Sequence, residues 1–379
     1  MAGIYIHVPF CRQACHYCDF HFSTNLSQME NLVQGMIKEL QLRKDYLAGQ
    51  TIQTIYFGGG TPSLLTEKWL SEILEKIHHL FPLELKEVTL EANPDDLNEE
   101  KLQVWKSLGI DRLSLGIQSF QPEILKFYNR SHSSEQAKNA ISISRNAGFE
   151  KFSFDLIYGF PAKDHRFWEI DLELAILQNP GHISAYSLTV ESKTVLGNWL
   201  QKGKFTPPDE DFVAEQFEFL QQETEKAGYE QYEISNFGKP GQWALHNTNY
   251  WKGIPYLGIG PSAHSFDGKS RGSNPSSNPK YIKSLESGET CFEIEEESLL
   301  DRANEQVLTA LRTSWGLNLE EFQTKYSIDL AKAKGKELEK YKDAGWLIWE
   351  NNTLSLTKSG KLLADSIAAE LFIYSHESG

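Results

Sequence analysis

The sequence predicts an α/β protein: an open, partial (β/α)6 barrel of TIM type, followed by a small helical, winged-helix-like domain. Three observations carry this. Six short apolar segments, near residues 3–8, 52–57, 87–91, 111–116, 152–157 and 183–189, alternate with amphipathic runs at 27–47, 66–80, 98–107, 121–127 with 134–147, and 165–177. Such alternation implies a parallel sheet with right-handed crossovers, and six units are too few to close the eight-stranded barrel. After about residue 296 the pattern changes to helical runs at 297–313, 318–326 and 329–344, two short strands at 346–350 and 353–357 joined at Asn351-Asn352, and a last helix at 358–373.

Ile4-Tyr5-Ile6-His7-Val8 opens the chain as a strand. Ser27 followed by Glu30 predicts a capping box that starts the first helix. After the sixth strand come a helix from 209, a strand near 229–235 and a Gly/Pro-rich stretch; residues 270–279 read as loop from their Ser, Gly, Asn and Pro content. The acidic run Glu293, Glu295, Glu296, Glu297 reads as a solvated helix entry. The expected domains are 1–295 and 296–379.

A chain of 379 residues accommodates one large and one smaller domain. Hydrophobic residues make up 40% and charged residues 23%, the balance of a globular protein. No apolar run reaches the length of about 18 residues that a spanning helix needs. The opening residues read as a strand rather than a signal peptide, so the expected compartment is the cytoplasm, where free thiols persist. A net charge of −15 argues against a general nucleic-acid binder, whose footprint is basic.

The chain has only 4 cysteines. Cys11, Cys15 and Cys18 follow the first strand in a C-x3-C-x2-C spacing. Three thiolates so spaced can hold three irons of a [4Fe–4S] cluster and leave the fourth open to an exogenous ligand. A disulfide framework needs more cysteines and a secreted chain. Structural zinc needs a fourth ligand, for which His7, His16 or His21 would serve. The second strand runs into Gly58-Gly59-Gly60-Thr61-Pro62, where glycines let a ligand approach the backbone closely. Glu91, Gln118 and Arg130 stand at or beyond strand ends, and Asp155 lies within an apolar strand, where a carboxylate needs partners. On such a barrel functional groups gather at the C-terminal ends of the strands.

These motifs resemble the radical S-adenosylmethionine (SAM) family, and within it the branch of oxygen-independent coproporphyrinogen III oxidase, over roughly residues 1–300 and on toward the end. The resemblance implies a radical SAM barrel in which Tyr5, six residues before Cys11, together with Gly59, Gly60, Thr61, Glu91, Gln118, Arg130 and Asp155, binds SAM; Thr189 and His264 match more faintly. It implies reductive cleavage of SAM to a 5′-deoxyadenosyl radical and methionine. Two features differ from the oxidase: Phe20 stands where that family has an extra cysteine, and only ten residues precede Cys11. His246-Asn247-Thr248-Asn249-Tyr250-Trp251 instead resembles the heme-associated H-N-x-x-Y-W motif of the HemW-type heme chaperones. His246 could ligate iron, and Tyr250 and Trp251 offer flat faces to a porphyrin; Asn247 completes the expected heme site. A histidine beside aromatics is also a common core arrangement. The function implied is to hold heme and deliver it to a heme-requiring apo-protein, such as a membrane-associated respiratory protein. The alternative is oxidative decarboxylation of coproporphyrinogen III to protoporphyrinogen IX. The expected cofactors are a [4Fe–4S] cluster, SAM and heme. Cys291 is expected to be a free thiol apart from the triad.

Overall fold

The computed structural model describes residues 1–374. Strands β1 (Ala2–Val8), β2 (Ile52–Gly59), β3 (Leu83–Ala92), β4 (Arg112–Gln118), β5 (Lys151–Tyr158) and β6 (Gly181–Ser187) lie side by side in sequence order, each parallel to the next. Helices α1 (Met29–Leu42), α2 (Glu67–Leu80), α3 (Glu99–Ser107), α4 (Pro122–Phe127) with α5 (Ser134–Asn146), and α6 (Arg166–Gln178) make the crossovers. The six βα units are those expected. β1 is buried at every residue but Tyr5, which is half-buried; such continuous burial is what a parallel sheet covered on both faces requires.

Further along come α7 (Val195–Gln201), α8 (Glu210–Lys226), the hairpin β7 (Glu230–Gln231) and β8 (Asn236–Gly238), and the short helix α9 (Leu245–Trp251). The next segment departs from the sequence expectation. Its turn-rich composition predicts loop, yet β9 (Tyr256–Ile259) pairs parallel with β1, and β10 (His264–Phe266), β11 (Arg271–Ser273) and, beyond helix α10 (Asn278–Glu286), β12 (Glu293–Glu295) extend the sheet antiparallel. The glycines serve close packing here. A Cβ on Gly258 would lie 1.9 Å from the His264 carbonyl oxygen, so only glycine lets β9 and β10 approach. Of the acidic run, Glu293 and Glu295 lie in an exposed edge strand, β12, and only Glu296 and Glu297 lead into the helix that starts at Leu299. The capping box at Ser27 and Glu30 does not form. Asn25 accepts the Ser27 N–H and caps a 3₁₀ turn, Leu26–Gln28, so α1 begins at Met29.

The chain divides into two compact units, residues 1–213 with 244–295, and 214–243 with the segment from 296 onward. The second unit contains α11 (Leu299–Leu311), β13 (Leu317–Asn318), α12 (Leu319–Tyr326), α13 (Leu330–Ala333), α14 (Gly335–Asp343), β14 (Leu347–Glu350), β15 (Thr353–Leu356), α15 (Lys358–Lys361) and α16 (Ala364–Glu370). Its sheet runs β13-β15-β14, all antiparallel. Asn351 and Asn352 both take positive φ, 49° and 61°, as a tight hairpin turn demands. Val307, Leu311, Phe322, Leu338, Leu354 and Ile367 center its core. The expected helix at 329–344 is two helices that meet at Lys334, and the last expected helix is also two. Among the described residues no helix is long and apolar enough to cross a membrane.

Candidate functional site at the barrel mouth

The triad occupies the irregular segment that leaves β1. The chain turns back on itself there, with Cys11 N donating to Ser23 O at 3.0 Å and Ser23 N to Pro9 O at 2.8 Å. The loop is tied to the end of α4 by His16 N to Tyr128 O (3.0 Å) and by a 2.7 Å bond between His16 Nδ1 and Phe127 O. Asn129, at φ 57°, donates from Nδ2 to Ala14 O at 2.8 Å and accepts from Gln13 Nε2 at 2.6 Å. All three cysteines are unpaired thiols, half-buried. Burial pushes the Cys18 thiol up to about 11 and raises the Cys11 thiol, and the neighboring thiols of the triad add to both. Thiols that resist ionization alone are ionized by a cationic partner, as ligation to iron provides. Among the described residues no three His, Cys, Asp or Glu side chains converge to hold a single metal ion. A cluster asks for something else, since each thiolate takes a different iron. The donor set therefore fits a [4Fe–4S] cluster, and His7, His16 and His21 have other partners: His7 Nδ1 is bonded to Tyr5 Oη at 3.0 Å, His16 Nδ1 to Phe127 O at 2.7 Å and His21 Nε2 to Asn278 Oδ1 at 2.8 Å.

The glycine turn is read differently in three dimensions. Gly59 has φ 112°, open only to glycine, and a Cβ there would lie 2.7 Å from the His7 ring. A Cβ on Gly60 would meet Phe10 O at 2.7 Å and Cys11 Sγ at 3.0 Å. These glycines let the turn lie close against the end of β1 and the cysteine loop. The Thr61 side chain works against the rise that burial imposes on the Cys11 thiol.

Behind the turn stands a polar set. Glu91 accepts from Tyr56 Oη at 2.8 Å and from Gly59 N at 3.1 Å, and burial pushes its carboxyl up to about 8. Asp155 accepts from Ser114 Oγ at 3.1 and 3.2 Å, and burial pushes it up to about 6. Tyr5 donates to or accepts from His7 Nδ1 at 3.0 Å; burial pulls His7 down to about 4, so its imidazole is neutral. Gln118 ends β4 at φ 63°, unusual for a residue with a side chain. Arg130 donates to Cys15 Sγ (3.3 Å), Asn93 Oδ1 (2.6 Å) and Gly116 O (2.8 Å), while its buried Nε–H has no partner. The structure thus gathers Tyr5, Gly59, Gly60, Thr61, Glu91, Gln118, Arg130 and Asp155 around the triad, with one orphaned donor and two carboxyls whose ionization burial opposes. Asn93, Tyr56 and Asn129 complete the arrangement, and the sequence reading missed them. Tyr56 and Asn93 do flank the two motifs, just before the glycines and just after Glu91.

The H-N-x-x-Y-W motif is elsewhere. It forms α9, at the opposite end of the barrel. His246 is 2% exposed. Its Nδ1 is bonded to Thr54 Oγ1 and its Nε2 to Tyr250 Oη, each at 2.8 Å, and its backbone N–H donates to Glu87 Oε1 at 2.9 Å. A Cβ on Gly3 would lie 3.1 Å from the ring, and Tyr56 stacks on it at 5.2 Å between centroids. Thr54 and Gly3 belong to the first half of their strands, so the imidazole closes the barrel floor. Asn247 and Trp251 are half-buried on the same short helix. Both ring nitrogens of His246 are thus hydrogen-bonded.

The fold and the mouth together define a radical SAM barrel. The Radical SAM superfamily model matches residues 5–174, and the HemN C-terminal domain model residues 298–363. The chain is 33% identical over 371 residues to the heme chaperone HemW of Bacillus subtilis, covering 97% of this chain and 98% of the relative. It is 35% identical over 355 residues to heme chaperone HemW of Synechocystis sp., covering 90% of this chain and 85% of the relative. This chain belongs to the HemW family. Its fold is similar to that of coproporphyrinogen III oxidase (HemN) from Escherichia coli, with TM-score 0.84 and 20% identity over 98% of this chain and 90% of that one. As a radical SAM protein it takes a [4Fe–4S] cluster and SAM.

Proposed function

We propose that this protein is a heme chaperone, which binds heme and delivers it to a heme-requiring apo-protein, the acceptor being of the respiratory kind that the sequence resemblance implies. The observation that carries this is identity of 33% and 35% along nearly the whole chain to relatives named heme chaperone. The oxidase is matched by fold at 20% identity, which speaks to architecture alone. Phe20, at the position of the oxidase's extra cysteine, is 73% exposed beside the triad and offers an apolar face in place of a thiol.

In this reading Cys11, Cys15 and Cys18 hold the cluster, with Arg130 bonded to the Cys15 sulfur and so helping to fix the loop. Glu91, Gln118 and Asp155 face SAM, whose bound form supplies one-electron chemistry at the open iron. A carboxyl raised as far as that of Glu91 can donate as well as accept, and Asp155 accepts; both suit hydroxyl partners. Arg130 Nε–H is the charged donor left over for a carboxylate. His246 acts as a floor residue, and the compartment is the cytoplasm, consistent with 4 unpaired thiols.

The test is anaerobic reconstitution followed by two assays. The protein should retain heme through gel filtration with a Soret band distinct from free heme. It should form no protoporphyrinogen from coproporphyrinogen III with SAM and reductant present. Porphyrinogen turnover without heme retention would replace the chaperone reading with the oxidase one.

A further inference from the structure

Reduction of the cluster takes one electron, which has to cross the protein surface to reach the triad. The cysteine loop faces the barrel mouth on one side. On another it is backed by α7. The Leu196 N–H of that helix donates to His16 O at 3.0 Å, and His16 lies between Cys15 and Cys18. The Thr194 hydroxyl caps the helix by accepting from Gly197 N at 3.0 Å. A Cβ on Gly197 would overlap Glu191 O, so only glycine lets the helix fold down on its own entry turn.

The helix has an inner and an outer side. Leu196 is fully buried, whereas Val195 is 37% and Leu200 41% exposed, apolar surface with nothing of this chain to cover it. Val195, Trp199 and Lys202 follow at i, i+4 and i+7 and so share one stripe. Trp199 is half-buried and links that stripe to the triad. Its ring lies 4.8 Å from the His16 ring and 5.9 Å from that of Phe127, whose carbonyl is the partner of His16 Nδ1. One indole and one imidazole thus stand between the surface and the cysteines.

The charge around this stripe runs against that of the protein. From 192 to 208 the chain has three lysines, Lys193, Lys202 and Lys204, and no acid, although its net charge is −15. All three are exposed, as is Lys126, which precedes Phe127. Among the described residues none of these four side chains makes an ion pair. Glu191 and Asp209 bound the stretch at its two ends, and Glu123 lies in the first turn of α4.

A small apolar face rimmed by cations fits a partner that is acidic around an apolar center. Electron-transfer encounters bury little surface and depend on such charge matching. We propose that α7 and its lysines are the docking surface of an acidic one-electron carrier protein, which reduces the cluster by way of Trp199 and His16. A carrier flavin in its anionic hydroquinone form gives up one electron and becomes the neutral semiquinone. The cluster takes that electron and passes from its oxidized, diamagnetic state to its reduced, paramagnetic one, with no bond or proton exchanged. The proposal rests on the radical SAM class and is independent of the chaperone reading.

The experiment uses full-length, cluster-reconstituted protein and, as probe, a flavodoxin of strongly negative net charge. Association is measured by calorimetry with oxidized flavodoxin. Cluster reduction by the hydroquinone is followed in stopped flow through the semiquinone absorbance. Lys193→Glu/Lys202→Glu should weaken association and slow reduction by about tenfold or more at low salt, and the gap should narrow as salt rises. Val195→Ser/Leu200→Ser should slow reduction by about threefold or more with the salt dependence unchanged. Lys332→Glu/Lys336→Glu, which changes net charge equally in the second unit, should leave both readouts within about twofold. Dithionite, a reductant too small to need docking, should reduce the cluster of every variant at the unmodified rate. An unchanged Lys193/Lys202 variant would overturn the proposal, as would equal slowing in the Lys332/Lys336 variant, equal slowing with dithionite, or no association of flavodoxin with the unmodified protein.

Discussion

At the floor of the barrel, His246, Thr54, Tyr250 and Glu87 satisfy one another, and Arg112 joins them through Glu87 at 3.8 Å and through Ser153 Oγ at 2.8 Å. At the mouth, burial opposes the ionization of Glu91 and Asp155, Arg130 keeps a buried donor without a partner, and Gln118 takes a left-handed backbone. Tyr5 and Tyr56 form the layer between, 6.0 Å apart, with Tyr56 reaching His246 on one side and Glu91 on the other. Both ends are built from titratable and hydroxyl side chains. The floor is closed because every partner is already inside the protein. The mouth is incomplete, and buried polar groups left incomplete in a fold mark places where a ligand finishes the network.

The largest test of this contrast is at the triad. Reconstituted protein should carry about four irons and four sulfides per chain. Cys15→Ala should abolish loading, whereas Cys291→Ala should leave it intact; full loading of the Cys15 variant, measured by iron and sulfide analysis, would remove the cluster assignment.

Next is the floor. His246→Ala leaves the Thr54 and Tyr250 hydroxyls without a partner and opens a void, so it should cost about 3 kcal/mol in urea unfolding. A loss below about 0.5 kcal/mol, the size of an ordinary surface change, would mean the floor is not the closed network described.

A smaller effect separates the ends by pH. Burial pulls His7 down to about 4 and His246 to about 3, below the ordinary 6.5. Their stabilizing contribution is therefore present above about 6.5 and is lost as pH falls through those values, because unfolding then takes up protons. Glu91 works in the opposite sense. Its carboxyl, raised from 4.5 to about 8, contributes stability at low pH that is lost as pH rises through about 8. Thermal unfolding across pH should fall on both sides. His246→Ala should flatten the acid limb and Glu91→Gln the alkaline one; identical limbs in the variants would show that other groups set the profile.

Much of the mouth was legible before folding. The cysteine spacing, the glycines after β2 and the polar residues after β3, β4 and β5 each announce themselves locally, and parallel βα alternation puts them at one end. The packing of these glycines was not legible, because it depends on how closely Gly60 approaches Phe10 and Cys11 beyond the neighboring strand. Nor was the place of α9. The bond from His246 to Thr54 joins residues 192 apart, so no local pattern shows the partners this histidine takes in the fold. Arg130 shows the same limit: its charge invites a carboxylate, yet most of its donors position Cys15 and Asn93.

The difference between mouth and floor is most directly measured by titrating SAM into reduced, cluster-loaded protein and following the cluster's electron paramagnetic resonance signal. The unmodified protein and His246→Gln should show the same SAM-dependent change at the same concentration. Asp155→Asn, with its cluster intact, should need more SAM, by an amount equivalent to about 1.5–3 kcal/mol if a hydrogen bond to a charged group is lost. A His246→Gln protein that loads its cluster but no longer responds to SAM, beside an Asp155→Asn protein that responds normally, would contradict the account.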